Sequence, residues 1–589
     1  MLKPTFFKRM LFFLISDFLL TLLSLYLAYA LRFNFSVPLD FIDHFGRVFF
    51  VLVVLKIGIF YIFKIYHRSW RFFSLQDFKK LFLAHSVAYT LFGLIFVVFS
   101  DWFNPVPRSA IIIDFILSIS LLGGLRISRR VLLESSGNRN SEKAIVYGAT
   151  SRASQVIKSS LISELPYFPV AVFDSNSSSV GTYIENVRVY DESALEDIVK
   201  REDVKIALIA KDMSSKELDH LFDRLTNSGV ENIKLVSLLA DRERKLKDIA
   251  IEDLLAREPK DLDTTIIRQF IKDKVVLVTG AGGSIGSEIT RQCKAFGAKR
   301  LILVDNSEYN LYKITEELGD KIVIPKLLSV LEVEKLDKLF LEYRPQIIIH
   351  AAAYKHVPLC ETNKDSAIKN NILGSMNVIN LGIKHGVEKI VNISSDKAVR
   401  PTNVMGATKR VIELYAQNVP SGKTEIVSVR FGNVLGSSGS VVPKFKEQIQ
   451  NGGPVTVTHP DITRYFMLIP EACQLVLQAG AMAKGGELFI LDMGEPVKIV
   501  DLAKKMIRLY GKEGEVKIEF TGLRLGEKLY EELLIDEAEC RTKYESIYVA
   551  KPTQTPIEKL RKNIEELFNS DSKIEILKKI VPEFNHQNM

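Results

Sequence analysis

Cysteine is scarce in this chain: 589 residues hold four, Cys293, Cys360, Cys473 and Cys540, far apart and without paired or metal-ligand spacing. That excludes a disulfide framework and a cysteine-built metal site, and it suits reduced thiols in the cytosol. No metal is expected. Runs of a single charge are also missing. The net charge is +8, but the basic residues are scattered through mixed-charge stretches or sit at the edges of apolar segments. No nucleic-acid-binding arm is expected. There is no low-complexity tract, and no internal repeat beyond two similar strand–turn–helix openings. The length suits roughly three or four domains.

Apolar sequence dominates the first 130 residues. Met10–Leu31 carries one charge (Asp17), Val48–Tyr66 carries Lys56 and Lys64, Leu81–Ser100 has only His85, and Ser109–Leu125 has only Asp114. Each is long enough, or nearly so, to cross a hydrocarbon layer of about 30 Å at about 1.5 Å per residue. A cleaved signal peptide would explain only the first, and no small-residue cleavage site follows it. Residues 1–135 are therefore read as four transmembrane helices in a lipid bilayer. Lys3, Lys8, Arg9, Arg68, Arg71, Lys79, Lys80, Arg126, Arg129 and Arg130 fall on one side. Arg32, Arg47 and Arg108, with Asp40, Asp43 and Asp101, fall on the other. The positive-inside rule predicts a multi-pass membrane protein with both termini and the rest of the chain cytoplasmic. On the same reasoning Lys56 and Asp114, at similar depth, are expected to face each other inside the bundle, and Asp17 to find another polar partner.

Residues 136–240 read as a small Rossmann-like domain. Lys143–Thr150 is a strand ending at Gly148, Val170–Asp174 a second strand and Ile206–Ala210 a third. One glycine stands where a phosphate-binding turn normally has three, so structural and nucleotide-binding readings both stand. A charged connector, 241–273, leads to the domain 274–589. There Gly280-Ala-Gly-Gly283-Ser284-Ile285-Gly286 follows a buried strand and opens a helix. The next strand, Leu301–Val304, ends in Asp305. Glycines let the backbone approach a pyrophosphate at the positive helix end, and the acidic residue accepts ribose hydroxyls while repelling a 2′-phosphate. The pattern predicts NAD rather than NADP.

The segment Asn392-Ile-Ser-Ser395-Asp396-Lys397 ends a further strand with a hydroxyl, a carboxyl and an amine together. With the glycine loop, Ile348-Ile-His-Ala351-Ala-Ala353 and Asn371-Ile-Leu-Gly374, the domain resembles the extended short-chain dehydrogenase/reductase family. Ala353–Pro358, Arg430–Gly436, Thr463–Met467 and Gly522–Glu531 narrow the resemblance to membrane-bound UDP-N-acetylglucosamine 4,6-dehydratases of the PglF/CapD type. It covers nearly the whole chain. It implies four membrane helices and two Rossmann-like domains, the second of extended dehydrogenase fold. It also implies UDP-N-acetylglucosamine as substrate, NAD as cofactor, a homo-oligomer, and a product for bacillosamine-type glycans with either C5 stereochemistry. In that family C4 is oxidised, water is eliminated across C5 and C6, and hydride returns to C6.

Such chemistry needs a base at O4, a base at C5 and an acid at O6. By resemblance, Ser395 hydrogen-bonds O4, Asp396 protonates departing O6, and Lys397 takes the C5 proton. Burial and Lys409 are expected to lower the pKa of Lys397 from its ordinary value near 10.4. The resemblance departs at Met405. Short-chain dehydrogenases place a catalytic Tyr four residues before the lysine, here Lys409, and a thioether cannot deprotonate O4. Asp396, acting as base and then as acid, is the economical substitute, while Lys409 keeps the nicotinamide ribose. The resemblance also places Gly280, Gly283, Ser284, Ile285, Gly286, Asp305, Ser329, Ala351 and Ala353 on the cofactor; Ser329 stands where an Asp is usual. Asn433, Arg464 and Arg524 fall on the diphosphate and sugar, Glu527 on the uridine ribose, and Lys355 and His356 near the substrate. Two other readings are weighed. A UDP-sugar 4-epimerase normally keeps the tyrosine and needs no C5 base, and a non-catalytic nucleotide-sensing module would not need the Asp–Lys pair.

Overall fold

A computed structural model describes residues 6–67, 75–135, 141–161, 165–238, 244–255, 262–319, 321–533 and 540–586. The chain divides into two compact units, Met1–Glu192 and Ser193–Met589. Of the residues used above, Lys3, Arg68, Arg71 and parts of the connector (241–243 and 256–261) lie outside those described.

The first unit opens with helices α1 (Phe6–Arg32), α2 (Leu39–Ile62), α3 (Leu75–Val98), a single turn α4 (Ser100–Phe103), and α5 (Arg108–Ser135). Four stretches, Met10–Arg32, Leu39–Ile62, Gln76–Val98 and Arg108–Ser128, are long and apolar enough to cross a membrane. Apolar side chains such as Leu19, Phe50, Leu94 and Ile112 are exposed on the outside of these helices, as a surface meeting lipid requires. Helix α2 starts well before the apolar run beginning at Val48. Backbone hydrogen bonding runs through the polar turn Asp40–Arg47 and stops only at Pro38, which sits in extended conformation and cannot extend the helix upstream.

The interior of the bundle is polar in two places. Arg126 of α5 makes a bidentate ion pair with Asp17 of α1, at 2.9 and 2.7 Å, with both side chains buried. Asp17 thereby has its partner. Lys56 and Asp114 do not pair directly as expected. Asp114 accepts from Ser24 of α1 at 2.6 Å and from the Tyr89 phenol of α3 at 2.5 Å. Lys56 donates to Ser118 at 2.7 Å, with its ammonium 4.8 Å from the Tyr89 ring centroid. Neighbouring hydroxyls have taken both carboxylate oxygens, so Tyr89 links the two charges. The rest of this unit holds strands β1 (Glu142–Tyr147), β2 (Tyr167–Asp174), β3 (Tyr183–Ile184) and β4 (Val187–Asp191). The first, second and fourth run parallel, and β3 pairs antiparallel with β4.

In the second unit β5 (Ile206–Ile209) pairs parallel with β6 (Asn232–Leu238), which pairs antiparallel with β7 (Arg244–Asp248). A nine-stranded sheet follows. Its strands β8 (Val275–Thr279), β9 (Arg300–Asp305), β10 (Val323–Leu327), β11 (Ile347–His350), β12 (Lys389–Ile393) and β13 (Glu425–Arg430) lie in the order 10-9-8-11-12-13. Leu488–Leu491 continues the parallel sheet, and Ile547–Ala550 and Cys540–Arg541 close it antiparallel. Alternate residues of each central strand enter two different cores: Leu277, Ile302, Ile348 and Ile390 on one face, Val278, Leu303, Ile349 and Val391 on the other. Burial on both faces explains the unbroken apolar runs. The strand order reverses beside β8, and the crevice at the C-terminal ends of β8 and β11 is where such sheets bind ligands. The helix Thr264–Ile271, which the sequence reading left in the connector, belongs to this core: Ile267 and Ile271 are fully buried in it.

Candidate active site

The glycine loop crosses that crevice at the end of β8. A Cβ on Gly280, whose φ is +64°, would stand 2.8 Å from the Ala352 nitrogen, and one on Gly286 would stand 2.0 Å from the Gly280 oxygen. No other residue leaves room for this turn, which brings the N-terminus of the helix Ser284–Ala295 to the cleft. Asp305, at the end of β9, accepts from the Gly282 N–H at 2.9 Å and from the Ser307 N–H at 2.8 Å. It lines a cavity of about 200 Å³ together with Gly280, Gly283, Ser329, Ala351 and Ala353. No Lys or Arg lines that cavity. It therefore suits an adenosine ribose bearing free hydroxyls, and it offers no cation for a 2′-phosphate. Ser329 is turned into its own loop, where its hydroxyl accepts from the Leu331 N–H at 3.3 Å.

Beyond Gly280 the crevice widens into a cleft of about 920 Å³, near the upper end of the range of about 300–1,000 Å³ for ligand sites. Its lining brings together Gly280, Gly283, Ser284, Ile285, Gly286, Ala351, Ala353, Lys355, His356, Ser395, Lys397, Met405, Lys409, Asn433, Arg464, Arg524 and Glu527. These come from sequence positions up to 247 residues apart (527 − 280). The glycine loop and the Ser-Asp-Lys turn converge because β8, β11 and β12 are adjacent and parallel.

At the end of β12, Ser395 caps a short turn over Asp396–Ala398. Asp396 is buried. Its Oδ1 accepts from the Ser395 hydroxyl at 2.8 Å, from the Lys397 N–H at 2.9 Å and from the Lys397 ammonium at 3.0 Å. Its Oδ2 has no hydrogen-bond partner among the described residues. Lys397 also donates to Asn433 Oδ1 at 3.1 Å and stands 3.8 Å from Glu531 Oε1. These contacts correct the expected lowering of its pKa. Burial pushes the ammonium toward the neutral form, but the carboxylates of Asp396 and Glu531 outweigh burial and raise it above the ordinary lysine value. Lys409 has no part in this. It donates to the Ile393 carbonyl at 2.8 Å, and burial lowers it to about 8. Met405, one turn earlier on the helix Val404–Asn418, is buried and lines the cleft.

Arg464 commits its guanidinium to the protein, donating to the carbonyls of Thr463 at 2.7 Å and Lys528 at 2.9 Å and lying 3.7 Å from Glu531. Glu527 accepts from Arg464 and from the Arg524 backbone N–H. The exposed Arg524 guanidinium has no partner among the described residues. Lys355 is held below the ordinary lysine value by burial and by Lys397, and His356 below its own by burial and Lys355.

Three features carry no role in the sequence reading. Glu531 closes the wall of the cleft with one oxygen, Oε2, unpartnered among the described residues, and burial raises its pKa. Glu413, wholly buried, accepts from Ser394 at 2.6 Å, from Arg430 at 3.1 and 2.7 Å, and from Arg410 at 3.2 Å. It thus braces the strand end that carries Ser395. Asn371 joins Tyr354 to Thr408 from within a π-helical turn. Only membership of the quoted motifs singled out Glu531, Arg430 and Asn371 in the sequence; nothing singled out Glu413.

The glycine cradle, the acid at the end of β9 and the buried turn after β12 belong to a Rossmann-like domain of the extended short-chain dehydrogenase/reductase fold, preceded by a second α/β region and four apolar helices. The family described as "Polysaccharide biosynthesis protein" matches residues 276–552, and the "CoA binding domain" family matches residues 139–238. The capsular polysaccharide biosynthesis protein CapD of Staphylococcus aureus is 43% identical over 88% of this chain and 90% of its own. The probable polysaccharide biosynthesis protein EpsC of Bacillus subtilis is 43% identical over 80% of this chain and 82% of its own. The X-ray structure of Pen from Bacillus thuringiensis aligns at 36% identity and a TM-score of 0.45, over 49% of this chain and 90% of that one. The chain belongs to the CapD/EpsC-type polysaccharide biosynthesis protein family.

Proposed function

We propose that this protein is an NAD-dependent UDP-N-acetylglucosamine 4,6-dehydratase, set in a bacterial membrane and making a UDP-4-keto-6-deoxy-N-acetylhexosamine for glycan assembly. The observation that carries the reading is the ion pair at the end of β12 between buried Asp396 and Lys397, whose ammonium-bearing side chain lines a cleft where Met405 replaces the hydroxyl base of an ordinary dehydrogenase. An oxidation alone needs one proton acceptor; the turn after β12 supplies two ionisable groups, Asp396 and Lys397, besides Lys409.

Gly280, Gly283 and Asp305 would hold NAD, which when bound would supply the hydride acceptor at C4 and the hydride donor at C6. The residues of the chain manage the protons. Asp396 Oδ2, buried and without a partner, takes the O4 proton and later delivers it to O6. Ser395 Oγ donates to Asp396, accepts from the Lys397 N–H and keeps one lone pair for the O4 hydroxyl. Lys397 takes the C5 proton once Asp396 is neutralised, because the largest influence raising its pKa is then gone and burial dominates. Arg524 offers a free guanidinium fork to the diphosphate, Glu527 serves the uridine ribose, and Arg464 holds Glu527 and Glu531 in place. Lys409 stays tied to Ile393 and presents the nicotinamide ribose edge.

The test is mass spectrometry of UDP-N-acetylglucosamine incubated with the purified full-length protein. A UDP-sugar lighter by one water is expected. A product of unchanged mass with altered C4 configuration would make the protein a 4-epimerase, and absence of turnover with NAD bound would make it a sensing module; either refutes the proposal.

A further inference from the structure

We infer that Glu531 is the proton acceptor that frees Lys397 to act on the substrate, a role that rests on the dehydratase reading above. Lys397 is held between two carboxylates, Asp396 at 3.0 Å and Glu531 at 3.8 Å. A lysine so placed carries a proton at rest and cannot abstract one from carbon. Asp396 is the nearer acceptor, but it already holds the O4 proton when C5 must be deprotonated. Two protons then need two carboxylates, and the second within reach is Glu531.

Its surroundings suit the task. Oε1 faces Lys397 and Arg464, at 3.8 and 3.7 Å, while Oε2 is buried with no hydrogen-bond partner among the described residues. A buried carboxylate oxygen without a donor is costly, and a proton on Glu531 relieves that cost. Burial, helped by the Asp396 carboxylate, outweighs the cations Lys397, Arg464 and Lys528 and leaves the carboxyl easier to protonate than an ordinary glutamate. The adjacent Glu532 is different: it is partly exposed and pairs with Arg400 and Lys528.

The protons balance. Lys397 gives one proton to Glu531 and, now neutral, takes the proton from C5. The electron pair of that C–H bond becomes the C5–C6 double bond as the C6–O6 bond breaks. O6 leaves as water with the proton Asp396 had taken from O4. When C6 has regained hydride, Lys397 returns its proton to C5, and Glu531 returns its own to Lys397.

The test compares kcat, KM and NAD content of full-length wild type, Glu531→Gln, Glu531→Asp and Glu532→Gln across pH. For Glu531→Gln we expect kcat to fall by about 100-fold or more near neutrality, the scale of a lost proton-transfer partner, with KM and NAD content unchanged. Its rate should climb again at alkaline pH, where solvent takes the Lys397 proton. Glu531→Asp should recover part of the neutral rate, and Glu532→Gln should match wild type. A Glu531→Gln enzyme as fast as wild type at neutral pH would show that Glu531 only anchors Lys397. A loss that alkaline pH does not relieve, or that comes with lost NAD, would show a structural role. Either result overturns the inference while leaving the dehydratase reading standing. Wild type that releases no water would overturn both.

Discussion

Replacing Asp396 by Asn removes one proton-carrying atom from this site and little else. Asn keeps the shape of the side chain, and its carbonyl oxygen can still accept from the Ser395 hydroxyl, the Lys397 N–H and the Lys397 ammonium, the three bonds made by Oδ1. What it cannot keep is Oδ2, the buried atom without a partner. Asp396 does not line the adenosine-ribose cavity, so NAD should remain bound. The reaction then loses both its O4 base and its O6 acid. Each such transfer is worth about 10²–10⁴-fold, so a fall in kcat of at least about 1,000-fold is expected. That corresponds to about 4 kcal/mol at about 1.36 kcal/mol per decade. The assay is water loss from UDP-N-acetylglucosamine, alongside NAD released on denaturing the protein. Retention of a tenth or more of wild-type kcat, with NAD bound, would refute the assignment, because the proton would then be moving through another group.

The catalytic domain needs the helix Thr264–Ile271: a fragment of the chain starting at Leu262 should unfold at a higher temperature than one starting at Lys274. Ile267 and Ile271 are fully buried, and burying each side chain contributes about 1.5–3 kcal/mol. Equal melting temperatures would contradict the packing, whereas both fragments should retain the cleft, whose lining runs from Gly280 to Glu531. In the membrane region, Asp17→Ala or Arg126→Ala leaves a buried charge unpaired, at a cost of about 2.5–3.5 kcal/mol, and should lower the yield of folded protein. The exchange Asp17→Arg with Arg126→Asp should restore part of it. Exchanging Lys56 and Asp114 should not rescue their single mutants, because those residues meet through Tyr89 and Ser118 rather than directly. Rescue there, or its absence at Asp17 and Arg126, would refute the observed pairing.

The order of the α/β elements, the glycine loop, Asp305 and the Asp396–Lys397 turn were legible in the sequence. Each is a local pattern: an apolar run sets a buried strand, glycines set a turn, and a strand end sets which residues reach the crevice. The four apolar helices were legible for the same reason, since the cost of unpaired backbone in lipid acts on each segment alone. Protonation and partnership were not local. The pKa of Lys397 is raised above the ordinary lysine value because Asp396 and Glu531, the latter 134 positions further on, wall it on two sides, and the sequence predicted the opposite from burial and Lys409. Arg126 counted as one more charge at a membrane edge until the fold set it against Asp17 of another helix. Lys56 and Asp114 shared a depth, but the hydroxyls of Ser24, Tyr89 and Ser118 decided their contacts. Local geometry follows from short-range sterics and hydrogen bonding, which sequence displays directly. The charge state of a buried group depends on every dipole and ion within several ångströms, and only the folded chain brings those together.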